Sequence, residues 1–529
     1  SAFNWTGGTL AGAQGYSIAS GLTATFSTTG TKTLNSALTN YGTINWSGGV
    51  INGSGSITNA SGAEFNISFA GVNQLQRPFT NQAGAAINYT NAGVFNTWTG
   101  TTFTNAGTLN VVNGVWQFIG TVSNSGTLHI PSGRFIQFDA TASLNAGTAF
   151  TGGGTIVMQT GTVTQNFPWT NSSHTFNMNG GTWNNTAGNP TVFGSGSTFN
   201  WQAGTLGGLA PYTINSGVTA SFTTTGTKLL HRPLVNHGII NYSGGTMQAN
   251  ASSITNNAGA EFNILFSGAN VMHPPFDNYG VVNYSGAGTF STHTVQPFSN
   301  HAGGVLNVNS GEWQFNPPSY HYSNSVLNIA TGASLRFNTA ATLQGTVNNS
   351  GTLAGTITSF TGPTFTNNGS VTLTSLPLAG TTTQTLNGTG TISNLTINNA
   401  NGVTLGGDQT VTGTLAINNG KVTLGSSNLT LGLAASITNQ TAARYIVTDG
   451  TGSLRRAING ANVLFPVGTT SSYLPATLSL TSGPQETFAV RVQDGVHSDY
   501  STPGVPDGAL VQNDQVERTW VISEQTEGG

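Results

Sequence analysis

Apolar residues alternate with polar ones in short runs along most of the chain. Leu109 and Val111 flank a polar residue, as do Ile44 and Trp46. This period of two is typical of β-strands with one buried face. The spacing of an amphipathic helix is nowhere sustained, so the pattern predicts an all-β protein.

These runs belong to a short unit that recurs through the chain. Each run follows the motif apolar-x-Asn-x-(x)-Gly, as in residues 103–107 (FTNAG), and the motif returns at intervals of about 20 residues. One such unit cannot bury its own apolar face, whereas stacked units share a continuous core. The sequence therefore predicts a parallel β-solenoid, or β-helix, up to about residue 440.

A much longer duplication contains these units. Residues 26–32 (FSTTGTK) return as residues 222–228 (FTTTGTK), and residues 116–118 (WQF) return as residues 313–315. The predicted segments are a first solenoid copy over residues 1–198, a second copy over residues 199–345, shorter solenoid coils over residues 346–440 and a C-terminal domain over residues 441–529.

The recurrent asparagine has a structural role in such a fold. If it lies at one corner of every coil, its amide can hydrogen-bond to the amides above and below it, and its neighbours suit tight turns. We therefore predict a structural asparagine ladder. Its members are Asn40, Asn59, Asn81, Asn105, Asn124, Asn236, Asn256, Asn278, Asn300, Asn324, Asn349 and Asn367.

The composition changes near Gln440. Residues 441–529 carry 14 of the 27 charged residues of the chain, and runs such as residues 488–492 (FAVRV) are typical of strands. We expect a small β-sandwich here, which would also cap the open edge of the last coil.

Charge and composition exclude several classes of protein. The net charge is −3 and charged residues make up 5% of the chain, so no basic surface is available for nucleic acid. No apolar stretch is long enough for a membrane-spanning helix, so we expect no membrane insertion. Cysteine is absent, which removes disulfides and thiolate chemistry. No cofactor is predicted.

The C-terminal region resembles a known class of proteins. Residues 445–454 (YIVTDGTGSL), 465–469 (FPVGT), 490–494 (VRVQD) and 518–524 (RTWVISE) are similar to a module near the C-terminus of large repeat proteins secreted by Bacteroidota. The resemblance covers about 80 residues. It implies export by the type IX secretion system, with the sorting domain of that family cleaved or omitted.

The solenoid region resembles bacterial surface adhesins of the β-strand-repeat and filamentous-hemagglutinin type. The resemblance implies an extracellular location at the cell surface. Residues 3–5 (FNW) match residues 199–201 in the interior of the repeat, so further copies are expected upstream.

Aromatic side chains are the main candidates for surface contacts. Trp46, Tyr242, Tyr89 and Tyr284 would form a platform for carbohydrate or for a neighbouring filament if they faced outward. The alternative is that they pack in the core, which we expect of Trp116 because it alternates with Phe118.

Other candidate chemistry is sparse. Asp449, Asp494 and Asp499 are candidates for calcium, although Asp-Gly steps also form simple turns, and no metal site is predicted. Six acidic residues precede residue 441, too few and too scattered for a catalytic pair. Thr-x-Thr pairs at residues 23–25 and 31–33 suggest ice binding as a further function, but their spacing does not repeat once per coil.

The sequence thus predicts a non-enzymatic extracellular structural protein, a segment of a bacterial surface adhesin or filament. Its expected partners are copies of itself, end to end or laterally, or surface glycans. A glycan-binding or glycan-cleaving β-helix is the alternative, and an ice-binding solenoid is a further one.

Overall fold

The fold was obtained from a computed structural model, which describes residues 3–481, 483–501, 504–511 and 517–525. The described residues form strands and turns without a helix. The chain divides into two compact units, one of Ser1–Asn263 with Met272–Pro275 and the other of Ile264–Val271 with Phe276–Gly529. The predicted parallel β-solenoid is confirmed, with about 22 turns in total.

Each coil of the first unit contributes three short strands, which belong to sheets A, B and C up to Ala149–Thr151 and to sheets B, C and D after it. Sheet A contains Phe3–Trp5, Thr23–Phe26, Thr43–Trp46, Glu64–Ile67, Ala86–Tyr89, Thr108–Val111, Thr127–His129 and Ala149–Thr151. Sheet B contains Gly8–Leu10, Lys32–Leu34, Ile51–Gly53, Gly71–Leu75, Val94–Thr97, Val115–Phe118, Phe135–Phe138, Thr155–Met158, Thr175–Met178, Thr198–Trp201, Thr219–Phe222 and Ile239–Tyr242. Sheet C contains Tyr16–Ile18, Leu38–Asn40, Ile57–Asn59, Phe79–Asn81, Thr102–Asn105, Thr121–Asn124, Ala142–Leu144, Thr162–Gln165, Thr182–Asn185, Gly204–Gly208, Lys228–Leu230 and Met247–Ala249. A further ladder, sheet D, contains Trp169–Asn171, Thr191–Phe193, Tyr212–Ile214, Leu234–Asn236 and Ile254–Asn256.

The second unit repeats this construction. Sheet E contains Val281–Tyr284, Val305–Val308, Val326–Ile329, Thr346–Asn349, Thr364–Asn367, Gln384–Asn387, Val403–Leu405, Val422–Thr423, Ile446–Val447 and Val467–Gly468. Sheet F contains Phe276–Asn278, Phe298–Asn300, Ser319–His321, Ser334–Leu343, Thr352–Phe360, Leu376–Leu378, Leu395–Asn398, Thr414–Asn419 and Ser436–Thr438. Sheet G contains Thr289–Thr292, Glu312–Phe315, the long strands Ser334–Leu343 and Thr352–Phe360 that also enter sheet F, Ser370–Leu373, Thr391–Ile392, Gln409–Val411, Leu429–Leu431 and Leu454–Ile458.

The second repeat copy is rotated by one face of the coil relative to the first. Asn45 of the first copy lies in sheet A, whereas its equivalent Asn241 lies in sheet B, in the column of residues that passes through Gln117, Asn177 and Asn200. Equivalent strands lie 28 strands apart in the chain. With three strands per coil, this is nine coils and one strand, so each equivalent strand falls on the next sheet.

Parallel pairing continues past the boundary that the change in composition predicts. Val422–Thr423 pairs with Ile446–Val447, which pairs in turn with Val467–Gly468. Coil stacking depends on inward apolar residues, and these continue after residue 440 as Ile446, Val447 and Leu454. The extra charge therefore begins within the last coils.

Small antiparallel sheets follow the last coils, consistent with the predicted sandwich. The strand Leu454–Ile458 pairs with Glu486–Asp494, and this strand pairs with Arg518–Glu524. Smaller pairs join Val463–Phe465 to Ala476–Leu478 and Tyr500–Ser501 to Val505–Pro506. Residues 482, 502–503, 512–516 and 526–529 of the predicted C-terminal domain lie outside the described residues.

Candidate functional site

Buried asparagines form a continuous ladder in the first copy. Asn40 donates to the side-chain oxygen of Asn59 at 2.8 Å, and the same contact joins Asn59 to Asn81, Asn81 to Asn105 and Asn105 to Asn124. All five side chains are fully buried. Their remaining N–H groups donate to backbone oxygens at the corner, as from Asn81 to Thr108, so the ladder satisfies polar groups that the coil buries.

Side-chain hydrogen bonds also join further predicted members. Asn236 bonds to Asn256 on sheet D, Asn278 bonds to Asn300 on sheet F, and Asn349 bonds to Asn367 on sheet E. Sheets E and F are different faces of the coil. The prediction that all twelve residues lie at one corner was therefore wrong. It assumed that the same number of strands separates every two successive asparagines of the series.

Asn324 lies outside the ladder. It is exposed at a corner with a φ of 63°, and His321 occupies the ladder position in register with Asn300. The corner after this strand is two residues longer than the equivalent corner after Asn124. Those extra residues create a second Asn motif that the sequence pattern cannot distinguish from the first.

His321 leaves the ladder incomplete. Its ring is 2% exposed, it lies among Phe298, Phe315 and Phe337, and neither ring nitrogen has a hydrogen-bond partner. Burial lowers the pKa of His321 to about 3. The imidazole is therefore held neutral.

A second set of asparagine columns lies on the outer faces and was missed from the sequence. Asn110, Asn88, Asn66 and Asn45 each contact the next through the side-chain amide, at 2.7–2.9 Å, on the outside of sheet A. Similar columns join Asn200 to Asn177 and Asn348, Asn328, Asn307 and Asn283 in succession. The sequence signal for these outer columns is an Asn between two inward-facing apolar residues, as in residues 44–46 (INW).

The aromatic residues predicted as surface contacts lie in the core. Trp46, Tyr242, Tyr89 and Tyr284 are each 0% exposed. Each directs its polar atom to a backbone oxygen at the next corner, such as Tyr89 Oη to Gly93 at 2.8 Å and Trp46 Nε1 to Gly48 at 2.9 Å. Each follows an inward apolar residue by two positions, which places it on the buried face.

The exposed aromatic cluster lies elsewhere, on the second unit. The ring of His301 stacks between Tyr279 and Tyr322, with centroids 4.2 and 5.0 Å away, and its Nε2 contacts Asp277 at 2.8 Å. Because the rings cover each other's faces, they present their edges to solvent. Within this stack, no ring face is left open for a sugar to pack against.

No protein-family model matches the chain, and no curated protein matches it in sequence. The resemblance of residues 445–524 to secreted Bacteroidota proteins therefore stays a prediction.

Two repeat-equivalent lysines are enclosed by corner carbonyls. Lys32 and Lys228 are both 0% exposed. The Nζ of Lys228 donates to the backbone oxygens of Thr223 at 2.6 Å, Gly244 at 2.9 Å and Gln202 at 3.1 Å. Burial lowers the pKa of both ammonium groups, to about 8 for Lys228. The carbonyls offset part of this cost because they accept hydrogen bonds from the charged form.

Each calcium candidate has a protein partner of its own. Asp449 accepts a hydrogen bond from the backbone N–H of Thr470, Asp494 pairs with Arg518 at 2.8 Å, and Asp499 accepts one from the N–H of Tyr500. Among the described residues, no three His, Asp or Glu side chains are grouped so as to hold a metal ion. The same residues contain no helix of the length and hydrophobicity that crosses a membrane.

We expect the Asn81→Ala substitution to lower the free energy of unfolding by about 1–3 kcal/mol, because it leaves buried amide groups of Asn59 and Asn105 without partners. Urea unfolding followed by tryptophan fluorescence measures the loss. The matched control is Asn66→Ala in the outer column, where water replaces the lost contact and the cost stays below about 0.5 kcal/mol. Equal losses in the two variants would contradict the role of the inner ladder.

Proposed function

We propose that this chain is an extracellular structural protein, a segment of a bacterial surface adhesin or filament without enzymatic activity. The observation that carries the proposal is the coil-on-coil pairing that occupies most of each unit, with short corners between the strands. Such a chain gains length and stiffness from repetition. Few residues remain for the long loops that usually build an active site.

The carboxylates favour this proposal over a glycan-cleaving β-helix. Cleavage of a glycosidic bond needs two carboxyl groups that converge on it. Here Asp139 accepts hydrogen bonds from the amides of Gln117 and Gln137, Glu312 pairs with Arg336, and Asp277 pairs with His301. Each of these carboxylates is therefore engaged by a neighbouring side chain of the solenoid.

The partners we propose are copies of the same protein, joined end to end or side by side, or glycans on another surface. The outer faces support either choice, because they offer amides and hydroxyls with few charges. Contacts made by such faces would change little with salt.

Gold-labelled antibody microscopy of intact cells tests the proposal. We expect label on the outer surface, and we expect protease added to intact cells to remove it. Rods joined at a fixed repeat would identify a filament, whereas single rods with reduced attachment of a deletion strain would identify an adhesin. Label that appears only after permeabilisation would overturn the extracellular location.

A further inference from the structure

Sheet C presents two adjacent columns of outward polar side chains over five successive coils, and nine of these ten side chains are hydroxyls. Residues two apart both point outward, and the pairs lie in register from strand to strand, except that Thr141 immediately precedes its strand Ala142–Leu144 and only Ser143 of that pair belongs to the ladder. We call this set the threonine array. Its members are the pairs Thr102 and Thr104, Thr121 and Ser123, Thr141 and Ser143, Thr162 and Thr164, and Thr182 and Asn184.

The array is regular in two directions. Neighbouring strands lie about 4.8 Å apart, and residues two apart on one strand are separated by about 6.7 Å. The inward residues between the members of each pair, such as Phe103, Val122 and Trp183, are buried in the core. Each inner strand of the array is paired on both sides. The positions of the hydroxyls are therefore fixed by the backbone.

The hydroxyls of the array are free to bind water. Among the described residues, Ser123 is the one hydroxyl of the array with a side-chain hydrogen bond to the protein, from Asn145 at 3.2 Å. The outer asparagines of sheet A differ, since Asn66 and Asn88 bond to each other. None of the array residues carries a charge.

We propose that the threonine array binds the surface of an ice crystal. Its two spacings are close to the repeats of water oxygens on the prism faces of hexagonal ice, and rigid hydroxyl and methyl groups can hold water in that pattern. A flexible soluble ligand would gain nothing from a fixed repeat in two dimensions. This activity is additional to the proposed structural function and does not depend on it.

The array differs from the threonine pairs noted in the sequence. Thr25 is in register with Asn4 and Asn45, so the pair at residues 23–25 is not repeated in the neighbouring coils. Thr33 is in register with Thr9 on one side and Asn52 on the other, so the pair at residues 31–33 forms no array either.

Thermal hysteresis and uptake into slowly growing ice test the proposal with the purified 529-residue chain. We expect the unchanged protein to lower the freezing point below the melting point, to shape crystals and to be enriched in the ice fraction. Thr121→Tyr and Thr162→Tyr should abolish these effects, because a ring that projects from the array keeps ice away. Thr127→Tyr on the outside of sheet A, one strand later in the chain, is the matched control and should retain them.

Circular dichroism and the thermal midpoint of each variant separate loss of the array from loss of the fold. Absence of hysteresis and ice uptake in the unchanged protein overturns the proposal, as does retention of both by folded Thr121→Tyr and Thr162→Tyr. Equal loss in folded Thr127→Tyr also overturns it. Binding to crystalline cellulose without any effect on ice would assign the array to a polysaccharide instead.

Discussion

Replacement of Lys228 by methionine is expected to lower the free energy of unfolding by about 2–4 kcal/mol, since it leaves several buried backbone oxygens without a donor. The ammonium group donates to the backbone oxygens of Gln202, Thr223 and Gly244. The next residue, Gly245, adopts a φ of 82°, a conformation that glycine allows at little cost. Methionine fills the space but leaves the carbonyls without a donor.

Guanidinium chloride unfolding, followed by tryptophan fluorescence, measures this loss. Lys32→Met is the repeat-equivalent test and should give a loss of the same order, because Lys32 donates to Gly48 and Gly30 in the same way. Lys421→Met is the control, since this lysine is only half-buried, and its loss should stay near 1 kcal/mol. A loss below about 1 kcal/mol in both Lys32→Met and Lys228→Met would show that the carbonyls find other partners.

Replacement of His321 by asparagine is expected to make the protein markedly more stable in acid. The folded pKa of His321 is about 3, and the unfolded value lies near 6.5. The neutral ring is therefore compatible with folding above about pH 6.5, and stability is lost as the pH falls from 6.5 towards 3. At pH 4 this amounts to on the order of 3 kcal/mol. Asparagine removes the titration and can accept a hydrogen bond from Asn300.

Urea unfolding of the unchanged protein and of His321→Asn at pH 7 and pH 4 measures the difference. At pH 7 we expect similar stabilities, within about 1 kcal/mol, because the lost ring contacts offset the regained hydrogen bond. His237→Asn is the control, because this histidine is exposed at a corner. His174, which is also buried with a lowered pKa, remains in all variants. The same fall in stability with pH in His321→Asn and in the unchanged protein would contradict the assignment.

The period of two and the recurrence of the unit were enough to predict the solenoid from the sequence, because both reflect local backbone geometry. The same period could have placed the aromatic residues, since Trp46 lies two positions after the apolar Ile44 and therefore faces the same way. The alternating pattern does not show how many strands separate two distant positions in the chain. That count decides which asparagines share a corner, so Asn349 and Asn300 were wrongly placed in one series.

The buried polar residues were harder to predict. Lys32 and Lys228 follow threonine-rich corners that look like solvent-exposed turns in the sequence. Their burial depends on carbonyls from the neighbouring coil, which no local pattern reveals. His321 escaped notice for a related reason, because the lengthened corner placed a better match to the motif three residues later, at Asn324.

The duplicated segment is nine coils and one strand long, so in a longer chain built in the same way each copy would start one face further round the coil. Each added copy would turn its surface groups by about a third of a revolution, and the fourth would align again with the first. Three consecutive copies would thus present the same chemistry in three directions. Such a protein could meet a target from any side without first having to rotate about its own axis.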